Sequence, residues 1–312
     1  MKKKVVVTGE FTNKKIKNLE ERFLVVKPKD RDSLEKEILE AEVVLSRHTT
    51  IDKALINKSK NLKLISLATT GYDSIDIEEC TKHNIQVCNS PQLDEEVGDI
   101  AIFHIINAMR KCNKANQQLR KGQWYDNESV GMEINHKNLL IVGYGRIGKT
   151  IARKARVLGV NLFATSPHLI EDDVKDDYIV KAVKFKVGIK LADIVVLAVP
   201  LTKKTFHMID ENTFHQMKNS SVLVNISRGE VVDSKALIKA LNEGEINYAS
   251  VDVFENEPLK ENNEALFVKN LYLTPHIGSF TFATRDRMQQ NAIENVFDYF
   301  EGKDVRFKIN KI

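Results

Sequence analysis

The segment Gly143-Tyr144-Gly145-Arg146-Ile147-Gly148 follows the apolar run Leu139-Leu140-Ile141-Val142 and leads into Lys149-Thr150-Ile151-Ala152. In this G-x-G-x-x-G spacing the first glycine permits a tight turn, the second lets the backbone approach a pyrophosphate, and the third lets a helix pack closely. Free N–H groups at the start of that helix attract the anion. Three glycines alone are often only a turn, but between a strand and a helix they point to a bound dinucleotide. An acidic residue at the end of the next strand, about twenty residues on, marks NAD by bonding the ribose. Here Leu162-Phe163-Ala164 runs into Thr165-Ser166-Pro167-His168 with no carboxylate. The Ser166 hydroxyl and the His168 imidazole do not repel a 2′-phosphate, although no arginine is present to clasp one. Two expectations therefore stand side by side: acceptance of NADP, or a Ser166 that bonds the ribose of NAD.

Further along, three segments each end an apolar run with a charged or titratable group. They are Asn225-Ile226-Ser227-Arg228-Gly229, Asp252-Val253-Phe254-Glu255-Asn256-Glu257-Pro258 and Leu273-Thr274-Pro275-His276-Ile277-Gly278. In open α/β sheets the carboxyl ends of the strands face the ligand crevice, so an arginine, a carboxylate and a histidine converge there. Taken singly each has an ordinary structural reading: a surface ion pair for Arg228, a turn cap for Glu255 or Glu257, a buried or surface side chain for His276. Their joint occurrence after a dinucleotide loop is what favours chemistry.

The elements that would position these groups form two series. Val5 to Val7, Phe23 to Val26, Val43 to Ser46, Leu64 to Ala68 and Ile85 to Cys88 are short apolar runs separated by helix-length stretches, which predicts βα units and a parallel sheet. An amphipathic connector follows from about Glu95 to Arg120, with Val97, Ile100, Ala101, His104, Ile105 and Ala108 on one stripe. A second series begins at Leu139 and continues through Val160 to Thr165, Ile194 to Ala198, Val222 to Ile226, Tyr248 to Val253 and Leu271 to Thr274. Thr284 to Phe300 reads as a closing helix and 304–312 as a short tail. The 312 residues suit two lobes, since single cores stop growing near about 250 residues. The predicted fold class is α/β with two doubly wound parallel lobes, a Rossmann cofactor domain (108–284) inserted into a flavodoxin-like substrate domain (1–107 with 285–312).

Bulk composition narrows the function classes. With 42% hydrophobic and 29% charged residues the chain has a soluble, globular profile, and its net charge of +4 comes from scattered lysines, which argues against a nucleic-acid footprint. Cys80, Cys88 and Cys112 have no CxxC spacing and none of the eight histidines sits in an HExxH pattern, so no metal site is expected. No eighteen-residue apolar stretch is present, and Val5 to Val7 is too short for a signal segment, so no membrane partner and a cytoplasmic location are expected.

These residues, in this order and spacing, resemble the D-isomer-specific 2-hydroxyacid dehydrogenase family over nearly the whole chain. The matching parts are the Val142-to-Gly148 loop, the Val199-Pro200-Leu201-Thr202 turn, Ser227-Arg228-Gly229, Asp252 to Pro258, and Pro275-His276-Ile277-Gly278. A smaller match, Thr69 to Asp76, includes Thr70 and Gly71, where the family offers backbone N–H groups to the substrate carboxylate. The resemblance implies that Arg228 holds that carboxylate and polarises the 2-oxo group. It implies that His276 is the general acid/base and that Glu257 bonds His276 and favours its charged form. It also implies cofactor contacts from Gly143, Tyr144, Gly145, Arg146, Ile147, Gly148, Ser166, Val199, Pro200, Ile226, Ser227, Arg228, Asp252, His276 and Gly278, with Asp252 meeting the nicotinamide carboxamide. His48 falls in a loop that often borders substrate in this family, and the connector with Trp124 and Tyr125, packed near the lobe junction, would help form a homodimer.

Departures bear on the substrate. Gly98-Asp99 replaces a common Ala-Glu, and Leu67 stands where phosphoglycerate enzymes place an arginine, although Arg47 still supplies charge. The chain ends near its last helix, so the regulatory domain that many phosphoglycerate enzymes append is not expected. The expected substrate is therefore a short 2-oxo or 2-hydroxy acid of the glyoxylate or hydroxypyruvate type. Two rival readings are a nicotinamide-binding hydrolase of thioether nucleosides and a catalytically silent NAD(P)-binding co-regulator. Arg228, Glu257 and His276 weigh against both.

Overall fold

Residues 2–91, 94–124, 127–169 and 180–312 are described by a computed structural model. Contacts divide the chain into two units, Met1–Leu93 with Thr281–Ile312, and Asp94–Phe280. The first begins with β1 (Lys4–Thr8), α1 (Asn13–Arg22), β2 (Leu24–Val26), α2 (Arg31–Glu37), β3 (Val43–Ser46), α3 (Lys53–Lys58), β4 (Leu64–Leu67), α4 (Ile77–Lys82) and β5 (Gln86–Cys88). Its five strands are parallel in the order β2-β1-β3-β4-β5. Strands β3 and β4 are buried at every residue, because helices cover both faces of such a sheet. Asp30, Asp52 and Asp76 start α2, α3 and α4 by accepting the backbone N–H three residues on. The tail beyond residue 304 is anchored: Asn310 accepts the Val87 N–H (2.8 Å) and donates to the Ile85 carbonyl (2.9 Å) at the edge strand β5.

The second unit contains α5 (Asp94–Arg110), α6 (Cys112–Arg120), β6 (Asn138–Val142), α7 (Arg146–Ala155), β7 (Asn161–Thr165), β8 (Lys181–Ala182), α8 (Phe185–Leu191), β9 (Ile194–Leu197), α9 (Glu211–Phe214), β10 (Val222–Asn225), α10 (Ser234–Glu243), β11 (Tyr248–Val251) and β12 (Leu271–Leu273). Its seven strands are parallel in the order β12-β11-β10-β9-β6-β7-β8. The order reverses between β6 and β9, and such a switch point is where doubly wound sheets take ligands. The expected amphipathic connector is two helices rather than one, since Lys111 adopts a left-handed φ of 49° and ends α5. Strand β8 escapes pattern reading because it has only two residues.

Helix α11 (Phe282–Phe300) then returns to the first unit, placing Ala292, Ile293 and Val296 in one core with Val5, Val7 and Leu64. The expected boundaries at 107 and 285 fall inside α5 and α11. Each helix goes with the sheet it covers: α5 packs on α7, β10 and β11, and α11 on β3 and β4.

Candidate active site

The arginine loop is built by Asn225, the last residue of β10. Its Oδ1 accepts the Ser227 N–H (3.0 Å) and hydroxyl (2.8 Å), while its Nδ2 donates to the Arg228 carbonyl (2.9 Å). Ile226 and Ser227 are thereby buried and Arg228 is left half-buried, with its Nη1 donating to the Ser227 carbonyl (2.7 Å). Gly229 follows against the backbone of Phe254 and Glu255, where a Cβ would lie well inside van der Waals contact. The glycine thus brings the Arg228 loop against the loop that carries Glu257. Gly229→Ala is expected to cost about 1–3 kcal/mol through overpacking, lowering Tm by about 2–4 °C per kcal/mol, together with a loss of turnover. Calorimetry showing an unchanged Tm would refute this close fit.

Glu257 has two partners. Its Oε1 accepts the Phe254 N–H (2.9 Å), closing the turn, and its Oε2 lies 2.7 Å from His276 Nδ1. Burial pushes its carboxyl upward, but the His276 hydrogen bond and charge, the Phe254 N–H and the nearby Arg228 charge outweigh this and hold it below the usual range. Arg228, Glu257 and His276 therefore share one electrostatic site. The His276 and Glu257 side chains are 41% and 34% exposed, so the pair is open to a small molecule.

His276 itself has a left-handed φ of 53°, a conformation that costs a non-glycine residue about 1–3 kcal/mol and needs support from its surroundings. Asp252 supplies that support. Its carbonyl accepts the His276 N–H (2.8 Å), Oδ1 accepts the Ile277 N–H (2.8 Å) and the Thr274 hydroxyl (2.5 Å), and Oδ2 accepts the Gly278 N–H (2.8 Å). Only 1% of Asp252 is exposed. Burial raises its carboxyl above the ordinary value, opposed by these hydrogen bonds and by the His276 charge.

At the switch point Gly143 takes a φ of 96°, and a Cβ there would collide with the Ala198 carbonyl beside Val199. A Cβ at Gly148 would collide with the Gly143 carbonyl, whereas one at Gly145 would meet nothing within 4 Å. Gly145 begins the ten-residue α7 without a side chain to cap its N–H groups. The loop is thus tight where helix and strand meet and open where a pyrophosphate would lie, which fits a dinucleotide. Arg146 and Pro200 are exposed, Ile147, Ser166 and Val199 half-buried, Tyr144 and Gly278 buried. Lys149 Nζ lies 5.9 Å from the Tyr144 ring centroid.

In the first unit, Thr70 Oγ1 donates to the Ser90 carbonyl (3.1 Å) and the Thr70 carbonyl accepts from Asn89 Nδ2 (2.7 Å), which ties the Thr70-Gly71 turn to the end of β5. His48 occupies a left-handed turn just past β3, with a φ of 57°. Trp124, expected to pack, is instead 86% exposed, while Tyr125 lies outside the described residues. No helix among the described residues is long and apolar enough to cross a membrane. Sequence reasoning missed His104, which sits on the apolar stripe of α5 yet bonds Ser250 Oγ through Nδ1 (2.6 Å) and Thr274 Oγ1 through Nε2 (3.0 Å). Burial pushes its pKa down to about 4, so the ring is neutral at neutral pH. A histidine inside an apolar stripe was the available signal, because a fully buried imidazole requires partners.

Residues 102–278 match the NAD binding domain of the D-isomer specific 2-hydroxyacid dehydrogenase family. The chain is similar to a glyoxylate reductase of Thermococcus litoralis, 36% identical over 100% of this chain and 98% of that one. It is also similar to glyoxylate/hydroxypyruvate reductase B of Shigella dysenteriae, 32% identical over 97% and 96% of the two chains. A solved glyoxylate reductase from Paecilomyes thermophila superposes with a TM-score of 0.89 at 26% identity, covering 99% of this chain and 98% of that one.

Proposed function

The chain belongs to the D-isomer specific 2-hydroxyacid dehydrogenase family, as an NAD(P)-dependent oxidoreductase, and from that premise we propose that it reduces glyoxylate, hydroxypyruvate or a comparably short 2-oxo acid to the D-2-hydroxy acid. The observation that carries this reading is the convergence of Arg228, Glu257 and His276 at the carboxyl ends of β10, β11 and β12, on the sheet that bears the Gly143–Gly148 loop. Arg228 binds the substrate carboxylate and draws charge from the 2-oxo group. With Nδ1 committed to Glu257, His276 Nε2 is the nitrogen that protonates the oxygen on C2. Glu257 holds the ring in place and stabilises the imidazolium before transfer. Asp252, with its buried oxygens on the His276 turn, acts first on that turn and secondarily on a nicotinamide. The Thr70-Gly71 turn offers backbone N–H groups to a carboxylate. Bound NAD(P)H supplies the hydride that C2 accepts. A panel of 2-oxo acids assayed at 340 nm tests the reading: turnover with a short acid is expected, and none with any acid would leave a silent cofactor-binding protein.

The cofactor phosphate turns on Ser166, just past β7 in the run Thr165-Ser166-Pro167-His168, which contains no carboxylate. We propose that NADPH is accepted as well as NADH. Ser166→Asp is expected to lower kcat/KM for NADPH relative to NADH by about tenfold or more, since a carboxylate beside a 2′-phosphate costs of order 1–2 kcal/mol. An unchanged NADPH/NADH ratio would refute the placement. Exposed Trp124 and Leu119 fit a homodimer, which light scattering checks. The three free cysteines fit the reducing cytoplasm as the location.

A further inference from the structure

We infer that His104 is a positioning residue for His276: as a neutral imidazole protonated on Nε2, it fixes the Thr274 hydroxyl as a donor to Asp252, whose carboxylate then holds the left-handed turn that presents His276. The order of donors follows from counting protons. Thr274 has one hydroxyl proton and two partners, Asp252 Oδ1 at 2.5 Å and His104 Nε2 at 3.0 Å. An ionised carboxylate only accepts, so the hydroxyl proton goes to Asp252. The remaining contact then requires His104 Nε2–H to donate to Thr274 Oγ1. Nδ1 is left bare, and the Ser250 hydroxyl donates to it across 2.6 Å.

Ser250–His104–Thr274–Asp252 is thus a directed chain in which each member dictates the next. Ser250 and His104 are fully buried, Asp252 is 1% exposed and Thr274 6%, so bulk water does not compete for these bonds. The Phe103 and Tyr272 rings, with centroids 5.6 and 5.9 Å from that of His104, close the site around the imidazole. An apolar residue at 104 would leave the Thr274 oxygen without its donor and the Ser250 hydroxyl without its acceptor, freeing both rotors. The Thr274 hydroxyl would then be free to turn away from Asp252, loosening the carboxylate that also holds the Ile277 and Gly278 N–H groups beside His276. Within the α5 stripe, an imidazole is the ring that donates from one edge and accepts on the other.

The kinetic part of the test rests on the proposed reduction, while the spectroscopic part does not. Long-range ¹H–¹⁵N spectra of the full chain without cofactor, with the His104 signals assigned by their loss in His104→Gln, are expected to show a neutral Nε2–H ring from about pH 5.5 to 8.5. An Nδ1–H ring, or one that titrates across this range, overturns the inference. His104→Leu is expected to displace the His276 ring signals, and His104→Gln, which keeps a donor and an acceptor, to leave them near their wild-type positions. Undisturbed His276 signals in His104→Leu overturn it. In turnover, His104→Leu should lower kcat about tenfold with little change in KM, since small misplacements of a reacting group cost up to about a hundredfold, and His104→Gln should recover most of the loss. Equal kcat in the two variants overturns the positioning role even where both fold.

Discussion

Replacing His276 with glutamine is expected to lower kcat by about 10²–10⁴-fold, the range that a positioned general acid/base contributes, with NAD(P)H affinity held within about threefold because the dinucleotide loop is untouched. Glutamine is close in size to histidine and keeps one N–H, so the turn between Thr274 and Gly278 retains its fill, but an amide cannot release and regain a proton at neutral pH. Glu257 would lose the His276 hydrogen bond and charge, the two largest contributions that lower its pKa, and would keep the Phe254 N–H and the Arg228 charge against the burial that raises it. A Glu257→Gln variant separates the two functions. It keeps the imidazole while removing the negative partner 2.7 Å away, so its loss is expected to be smaller than that of His276→Gln. Stopped-flow oxidation of NAD(P)H, and in the reverse direction reduction of NAD(P)+, with cofactor titrations by fluorescence, reads these quantities. A His276→Gln enzyme within fivefold of wild type would remove His276 from the chemistry.

Much of this architecture was legible because parallel sheets impose a simple pattern. Strands covered on both faces appear as unbroken apolar runs, and Val43-Val44-Leu45 or Ile194-Val195-Val196-Leu197 could hardly lie elsewhere. The glycine loop was legible for the same reason, since its spacing is a steric requirement that only glycine satisfies at Gly143 and Gly148. Arg228, Glu257 and His276 were legible because each follows a strand of one sheet and because their order and spacing resemble the family's; strand position alone left Glu255 open beside Glu257. What was hidden depends on contacts between distant segments. The break at Lys111 is a single dihedral with no glycine or proline to announce it. Trp124 was expected to pack because no basic or aromatic partners surround it in the sequence, and nothing local showed that this chain leaves it in solvent. His104 lies 170 residues from Thr274, and its place on an apolar stripe disguised a hydrogen-bonding ring as core. Asn225 and Gly229 were given no role of their own from sequence, yet they shape the Arg228 turn.

Arg228→Lys is expected to lower kcat/KM for the oxo acid by about 10²–10³-fold, or about 2.7–4 kcal/mol, comparable to removal of one preorganised donor at a developing oxyanion. Lysine keeps the charge but not the planar fork, so it cannot hold a carboxylate through two parallel bonds while a further N–H reaches the oxygen on C2. The loop sharpens this contrast. Asn225 clamps Ser227 and the Arg228 carbonyl, and Arg228 Nη1 is tied to the Ser227 carbonyl, so the guanidinium is oriented before substrate arrives. A flexible ammonium has no equivalent of that tie. Arg228→Ala goes further by removing the positive charge that helps keep Glu257 ionised, so its activity should fall further at the acidic end of the pH profile than that of Arg228→Lys. If Arg228 acts on substrate, both variants lose most in kcat/KM, and added guanidinium restores part of the Arg228→Ala rate. If it serves only the fold, the two would share a lowered Tm with kcat/KM near wild type, and the carboxylate-binding role would fall.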